Sequence, residues 1–387
     1  MISRIQKPGV IPLGNLAQEM VNFGEQQYGQ GNARLERFAA CIIGCGNIFP
    51  MHAVSVTRCP ETELVAVCDV KEDRAKAKAE EFGCKYYLDY KEMIDKEQPD
   101  VVHLCLPHYL HPIVAIYCEE RGINVLTEKP MSIELKDAKA MIDTAKAHNV
   151  TLGCIFQNRY NAGTVLVKDL LDRGELGKIK SAKLAVTWDR SDKYYTSSDW
   201  KGTWDKEGGG VIIDQAIHTM DMLRYLVNEE IDFVDATIAN RGHAIIDVED
   251  SAEGIIKYKS GLLTAFHAIN YYSYDAPVEI EMDCEKDLVK MYADSADVIF
   301  KDGKTIHIDR NPNEDFHYGN VKSYWGVNHV KQIQNYYHCL VTGEKPFIPV
   351  ESAYKTMEMI CAVYKSGKER RRVTIEEMRK EVGTVEE

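Results

Sequence analysis

Two side chains able to move a proton, Asp214 and His218, sit four residues apart directly behind the glycine run at 208–210, in the stretch EGGGVIIDQAIHTMD. On an α-helix four residues is one turn, so this stretch predicts a carboxylate and an imidazole on one helical face. The glycines let backbone or ligand come close where that helix begins. A third group, Lys129, lies in NVLTEKP. An ammonium there can donate to an oxygen that gains negative charge. One reaction that uses a base and a charged donor in this way is oxidation of a secondary alcohol, which needs a base for the hydroxyl proton and a hydride acceptor above the carbinol carbon. His218 starts near ~6.5 and accepts a proton at neutral pH with almost no tuning, whereas Lys129 starts near ~10.4 and would have to fall by about three units. The expectation is therefore His218 as acid/base, Lys129 as charged donor, and Asp214 either orienting His218 or gripping a neighbouring hydroxyl; the alternative, in a well-desolvated site, reverses the roles of Lys129 and His218. Each has an ordinary reading as well: a core histidine, a surface lysine before proline, a solvated acid.

Those residues need two kinds of scaffold. From Phe38 to about Asn158, β-rich runs alternate with helical ones. FAACIIG, ELVAVCD, DVVHLCLP, NVLTE and TLGCIFQ read as buried strands. KEDRAKAKAEEFG, HPIVAIYCEERG and IELKDAKAMIDTAKAHN read as helices, the first two ending at glycine and the third at Asn149. This alternation predicts a doubly wound parallel sheet with helices on both faces. Beyond Asn158 a helix, a strand (KIKSAKLAVTW) and an aromatic loop precede the Asp–His segment. Seven strand-like runs over 231–309 then predict an open, mostly antiparallel sheet. Two helices near 328–342 and 350–366 follow, the second expected to pack back on the first domain. The fold class is thus α/β, with a Rossmann domain over 36–158, an α+β domain over 159–387, and residues 1–35 an extension.

The first strand ends in GCGNIF. Gly44 permits the tight turn and Gly46 leaves room for a pyrophosphate at the helix start, where Asn47 and Ile48 supply backbone. Phe49 stands where a dinucleotide fingerprint prefers Gly or Ala, and should hold the helix further from the sheet. Asp69 closes the second strand, roughly 20 residues on, where a carboxylate binds the ribose hydroxyls of NAD and repels the extra phosphate of NADP. NAD is therefore expected over NADP. Arg74, and Pro107, His108, His111, Glu128 and Lys129 at the ends of two further strands, join the candidate cofactor contacts, because ligands of such sheets lie beyond the strands' carboxyl ends.

GCGNI, Asp69, PHYLH, EKP and GGGVIIDQAIHTMD, in this order, resemble the Gfo/Idh/MocA family of nicotinamide-dependent sugar and cyclitol dehydrogenases. The resemblance spans about 37–372. It implies NAD(P) in the first domain, a substrate domain on an open sheet, homo-oligomers packed through that sheet, catalytic positions at Lys129, Asp214 and His218, and a cis Lys129–Pro130 bond.

Trp188, Tyr194, Tyr195, Trp200 and Trp204 crowd the loop before the glycines. Aromatic faces stack on the C–H faces of sugars, and interleaved polar groups take hydroxyls. Two of the five, Trp188 first, are expected only to anchor the loop. Tyr194, Tyr195, Trp200 and Gln215, with Arg159 and Tyr160 at the domain junction, are the candidate substrate contacts. The YY…WKGTW…GGG order resembles family members acting at position 3 of a hexose ring, so a glucoside is the expected substrate. A redox-assisted glycosidase, a nucleotide-sugar or inositol dehydrogenase, and a non-catalytic sensor are the alternatives. A formal charge of −13 over 387 residues argues against nucleic acid or an anionic membrane as partner. The 11 cysteines, scattered without a CxxC pair, point to a reducing, cytoplasmic setting and no metal site. No membrane span or signal peptide is expected.

Overall fold

A computed structural model describes residues 37–310 and 327–385; the expected N-terminal extension lies outside them. The first sheet comprises β1 (Phe38–Ile43), β2 (Thr62–Cys68), β3 (Lys85–Tyr87), β4 (Val101–Leu104), β5 (Asn124–Thr127) and β6 (Leu152–Cys154). All pairs are parallel and the spatial order is 3-2-1-4-5-6. That order reverses between β1 and β4, which opens a crevice at their carboxyl ends. The central strands are buried on both faces, and apolar but for residues such as His103 and Thr127, because helices cover both: α1 (Phe49–Arg58), α2 (Glu72–Phe82), α3 (Tyr90–Glu97), α4 (His111–Glu119) and α5 (Leu135–His148). Left-handed residues stop α2 at Gly83 and α5 at Asn149, as the sequence predicts. α4 ends earlier than expected, and Gly122 falls in the turn beyond it. β3 and α3 escape the sequence reading, since KYY is short and half-exposed and carries no alternating apolar pattern.

The second half contains α6 (Ala162–Asp172), β7 (Ile179–Thr187), α7 (Asp192–Thr196), a π-helical segment (Val211–Ala216) and α8 (Ile217–Val227). The strands β8 (Ile231–Ala239), β9 (Ser251–Tyr258), β10 (Leu263–Ile269), β11 (Glu279–Cys284), β12 (Asp287–Tyr292), β13 (Ser295–Phe300) and β14 (Thr305–Ile308) follow. They join β7 in one open sheet whose order is 14-13-12-11-7-10-9-8-15. β7 pairs in parallel with β10 and antiparallel with β11, and the remaining pairs are antiparallel. The chain finishes with α9 (Val327–Thr342), α10 (Val350–Glu369), β15 (Val373–Thr374) and α11 (Ile375–Val382). α9 lies across α1, while α10 packs on β8 and also meets α5 and β6. No helix among the described residues is long and apolar enough to cross a membrane.

Candidate active site

At the carboxyl end of β1 the chain turns through Gly44, whose φ is 95°. A Cβ there would lie 2.2 Å from the Cys105 carbonyl, so only glycine fits between β1 and β4. At Gly46, by contrast, a Cβ would meet only the Arg74 guanidinium, at 3.9 Å. That leaves open space before α1, whose first amides no side chain caps. An anion fits such a cradle. Asp69 closes β2 beside it: its carboxylate accepts from Cys45 N (3.0 Å) and Lys71 N (2.8 Å), with Arg74 Nη1 3.4 Å away. Glycine turn, bare helix start and strand-end carboxylate together suit NAD. Phe49 is wholly buried, edge-on to Phe82.

Lys129 follows β5 and precedes a cis peptide to Pro130. Its Nζ donates to the Asp214 carbonyl at 2.7 Å and lies 3.2 Å from Asp214 Oδ1. Asp214 sits in the π-helical segment, whose start is set by Gly210: a Cβ there would fall 1.9 Å from the Glu249 carbonyl. The Glu249 carboxylate then accepts from the amides of Gly210 (2.8 Å) and Ile212 (3.0 Å), the task of a helix cap. The wider π turn means that Asp214 and His218 are not related by one α-helical turn, contrary to the sequence expectation. Such insertions recur at functional sites, where they redirect side chains.

Asp214 is saturated. Besides Lys129, its Oδ2 accepts from the Tyr194 hydroxyl and from Gln215 Nε2 (2.8 Å), with Lys201 Nζ at 3.5 Å. Burial opposes its charge, but Lys201, Lys129 and His108 prevail and hold the carboxyl well below its usual range. His218 is the opposite case. Its Nδ1 has no hydrogen-bond partner, and burial, reinforced by Lys129, pushes its pKa down to about 3. Asp214 therefore contacts Lys129 and not His218, whose protonated form is disfavoured by its surroundings. Around them, Glu207 is fully buried, and burial with the nearby Asp214 raises its carboxyl to about 9.

Residues 38–156 match the GFO/IDH/MocA oxidoreductase family with an NAD-binding Rossmann fold, and 164–290 match the GFO/IDH/MocA C-terminal domain. The chain belongs to the GFO/IDH/MocA family. Among its relatives is the myo-inositol 2-dehydrogenase of Thermotoga maritima, 26% identical over 348 residues, which span 87% of this chain and 98% of that protein. The D-glucoside 3-dehydrogenase of Escherichia coli K12 is 33% identical over 193 residues, 48% of this chain and 53% of that one. In fold, the chain superposes on the Bordetella pertussis WlbA dehydrogenase solved with NADH and UDP-GlcNAcA, with a TM-score of 0.78 and 24% identity over 88% of this chain and 98% of that one. A levoglucosan dehydrogenase–NADH complex gives 0.79 at 19% identity, covering 88% and 99%. The protein is thus an NAD-dependent oxidoreductase of the sugar and cyclitol dehydrogenase class.

Within this GFO/IDH/MocA enzyme, the predicted residues divide. Gly44, Gly46, Asn47, Ile48, Asp69 and Arg74 gather at the turn before α1. Lys129, Asp214, Tyr194, Gln215 and His108 form one network with Trp200, whose ring centroid lies 4.8 Å from that of His108. Others are placed elsewhere. Arg159, 1% exposed, grips Asp221 through Nε and Nη2 (2.8 and 2.6 Å) and donates from Nη1 to Ser352 Oγ (2.9 Å), a buried ion pair and not a sugar-facing guanidinium. Tyr160 is buried against Phe347. Tyr195 is turned inward and its hydroxyl accepts from Asn270 at 2.7 Å. His111 is wedged between the carbonyls of Pro130 (2.7 Å) and Leu106 (2.9 Å), a tie between two strand ends and not a cofactor contact. Glu128 is occupied by His52 and His329. Trp188 and Trp204 both spend their indole N–H on backbone carbonyls, as anchors do. Lys201 and Glu207 escaped sequence reading. Lys201 stacks 3.5 Å over the Tyr194 ring, a contact that only the folded loop creates.

Proposed function

We propose that the enzyme oxidises a secondary ring hydroxyl of a sugar, at C3 of a glucoside, with NAD as hydride acceptor. The observation that carries this is the meeting of Lys129, from the end of β5, with Asp214, near the half-buried imidazole of His218. NAD, held by the Gly44–Gly46 turn and Asp69, supplies the acceptor. The Lys129 ammonium donates to the reacting oxygen and favours its alkoxide character. Asp214, pinned by Tyr194, Gln215 and Lys201, keeps that ammonium aimed. His218 takes the hydroxyl proton. From a pKa of about 3 that protonation costs roughly 5 kcal/mol at pH 7, so Lys129 carries more of the rate than His218.

Trp200, half-exposed beside His108, supplies a stacking face for a pyranose ring, and the D-glucoside 3-dehydrogenase relative supports position 3. One observation favours a second reading. Two ammonium groups, Lys129 and Lys201, share one ionised carboxylate, and the surplus charge suits an anionic sugar such as a phosphate or a uronate. The test is a panel of glucosides, sugar phosphates, nucleotide sugars and inositols with NAD, read as NADH absorbance. Fastest turnover on neutral glucosides upholds the proposal; a preference for phosphates or uronates replaces it with the second reading. Turnover of inositols alone defeats both.

A further inference from the structure

Glu128 precedes Lys129 and is buried, 6% exposed. Its Oε1 accepts from Nε2 of His52 on α1 and from Nε2 of His329 on α9, each at 3.0 Å. Its Oε2 accepts from the backbone N–H of Lys129 at 3.2 Å. Burial opposes its ionisation, but the hydrogen bonds from His329 and His52 hold the carboxyl well below its normal range. A carboxylate only accepts, so both Nε2 atoms must carry hydrogen. Burial keeps His52 neutral, leaving its Nδ1 bare. His103 Nδ1, 2.9 Å away, must then donate to it, and the bare His103 Nε2 accepts from the Tyr337 hydroxyl at 2.8 Å. One orientation of the protons satisfies this chain from Tyr337 to Glu128.

Two of the contributors, His329 and Tyr337, come from α9, which is fastened to the first sheet elsewhere. Gln332 bonds Cys154 O (2.8 Å) and Phe156 N (3.0 Å), and Tyr336 bonds the carbonyls of Val125 and Thr151. α9 thus presents His329 to Glu128 from a fixed distance.

We infer that Glu128, clamped between His52 and His329, is a positioning residue that sets the backbone of Lys129 so that its ammonium reaches Asp214 and the reacting oxygen. This rests on the proposed reading of Lys129. The three clamp groups also lie within 4.8 Å of one another, near enough for a metal ion, but the hydrogen-bonded arrangement accounts for the imidazole–carboxylate contacts without one.

The full-length enzyme with NAD and its fastest panel substrate provides the test. His329→Leu should lower kcat about 10- to 100-fold and leave the Kd for NADH within about twofold. His329→Gln, which returns an N–H near the position of Nε2, should recover most of the loss. In a Lys129→Met background, where the group being positioned is gone, His329→Leu should cost less than about twofold more. Equal losses in both backgrounds, or no rescue by Gln, would overturn the inference alone. Unchanged kcat in Lys129→Met would instead remove the reading of Lys129 and the inference with it. Stoichiometric zinc, iron or manganese in the purified protein by mass spectrometry also overturns it. Should His329→Leu not fold, Glu128→Gln takes its place in the cycle, since its amide opposes the N–H donors that converge on Glu128.

Discussion

The turn at Gly44–Asp69 and the cluster at Lys129–Asp214 do their work by opposite means. The first is a shape: two glycines, a bare helix start and one strand-end carboxylate surround open space. The second is a crowd, in which Asp214 meets Lys129, Tyr194, Gln215 and Lys201 while the buried Nδ1 of His218 has no hydrogen-bond partner. A cofactor recognised through backbone geometry needs few side chains. A reacting hydroxyl needs charges of fixed value and place, and each fixed charge needs its own supports.

The contrast is most exposed to attack at Lys129. Lys129→Met should cut turnover by about 10³-fold with NADH affinity within about twofold, measured by steady-state kinetics and fluorescence titration; a large loss of NADH affinity would merge the two regions into one. His218→Ala should cost less, about 10²-fold, and a larger loss than that of Lys129→Met would reverse the assignment of which group carries the rate. Asp69→Ala belongs to the other region. It should raise the KM for NAD roughly tenfold, narrow the preference over NADP and leave kcat nearly unchanged; a collapse of kcat would contradict the division.

A smaller effect concerns stability alone. Glu119 is buried with both oxygens unpartnered, and burial, with Glu120 adding to it, raises its carboxyl to about 8. Between about 4.5 and 8 the unfolded chain sheds this proton while the folded chain keeps it, so stability falls as pH rises through that window. Glu119→Gln should raise Tm by roughly 2–5 °C at pH 7 and by less at pH 5, with turnover unchanged. A gain independent of pH would show that the carboxyl does not titrate in this way.

The same contrast explains what could be read from the chain. GCG, Asp69 and the apolar strands are local patterns whose physics is short-ranged, and they are found where the sequence predicts. The partners of Asp214 and Glu128 come from α9, from the aromatic loop and from α1, at separations that no periodicity encodes. Arg159 illustrates the failure: an arginine at a domain junction resembles a sugar contact until Asp221, from another helix, claims it. The π turn was likewise invisible, because it depends on Glu249 reaching back to the amides of Gly210 and Ile212.

β7 lies at the centre of the second sheet, yet its neighbours β10 and β11 are made some 80 and 100 residues later. During synthesis its apolar side must wait, unmatched, until the chain reaches Cys284. Pairings this distant in sequence form slowly and leave sticky edges in the interim. The nascent polypeptide therefore passes through a stage in which the first sheet can already be complete and the second has no middle, and there a chaperone has most to offer.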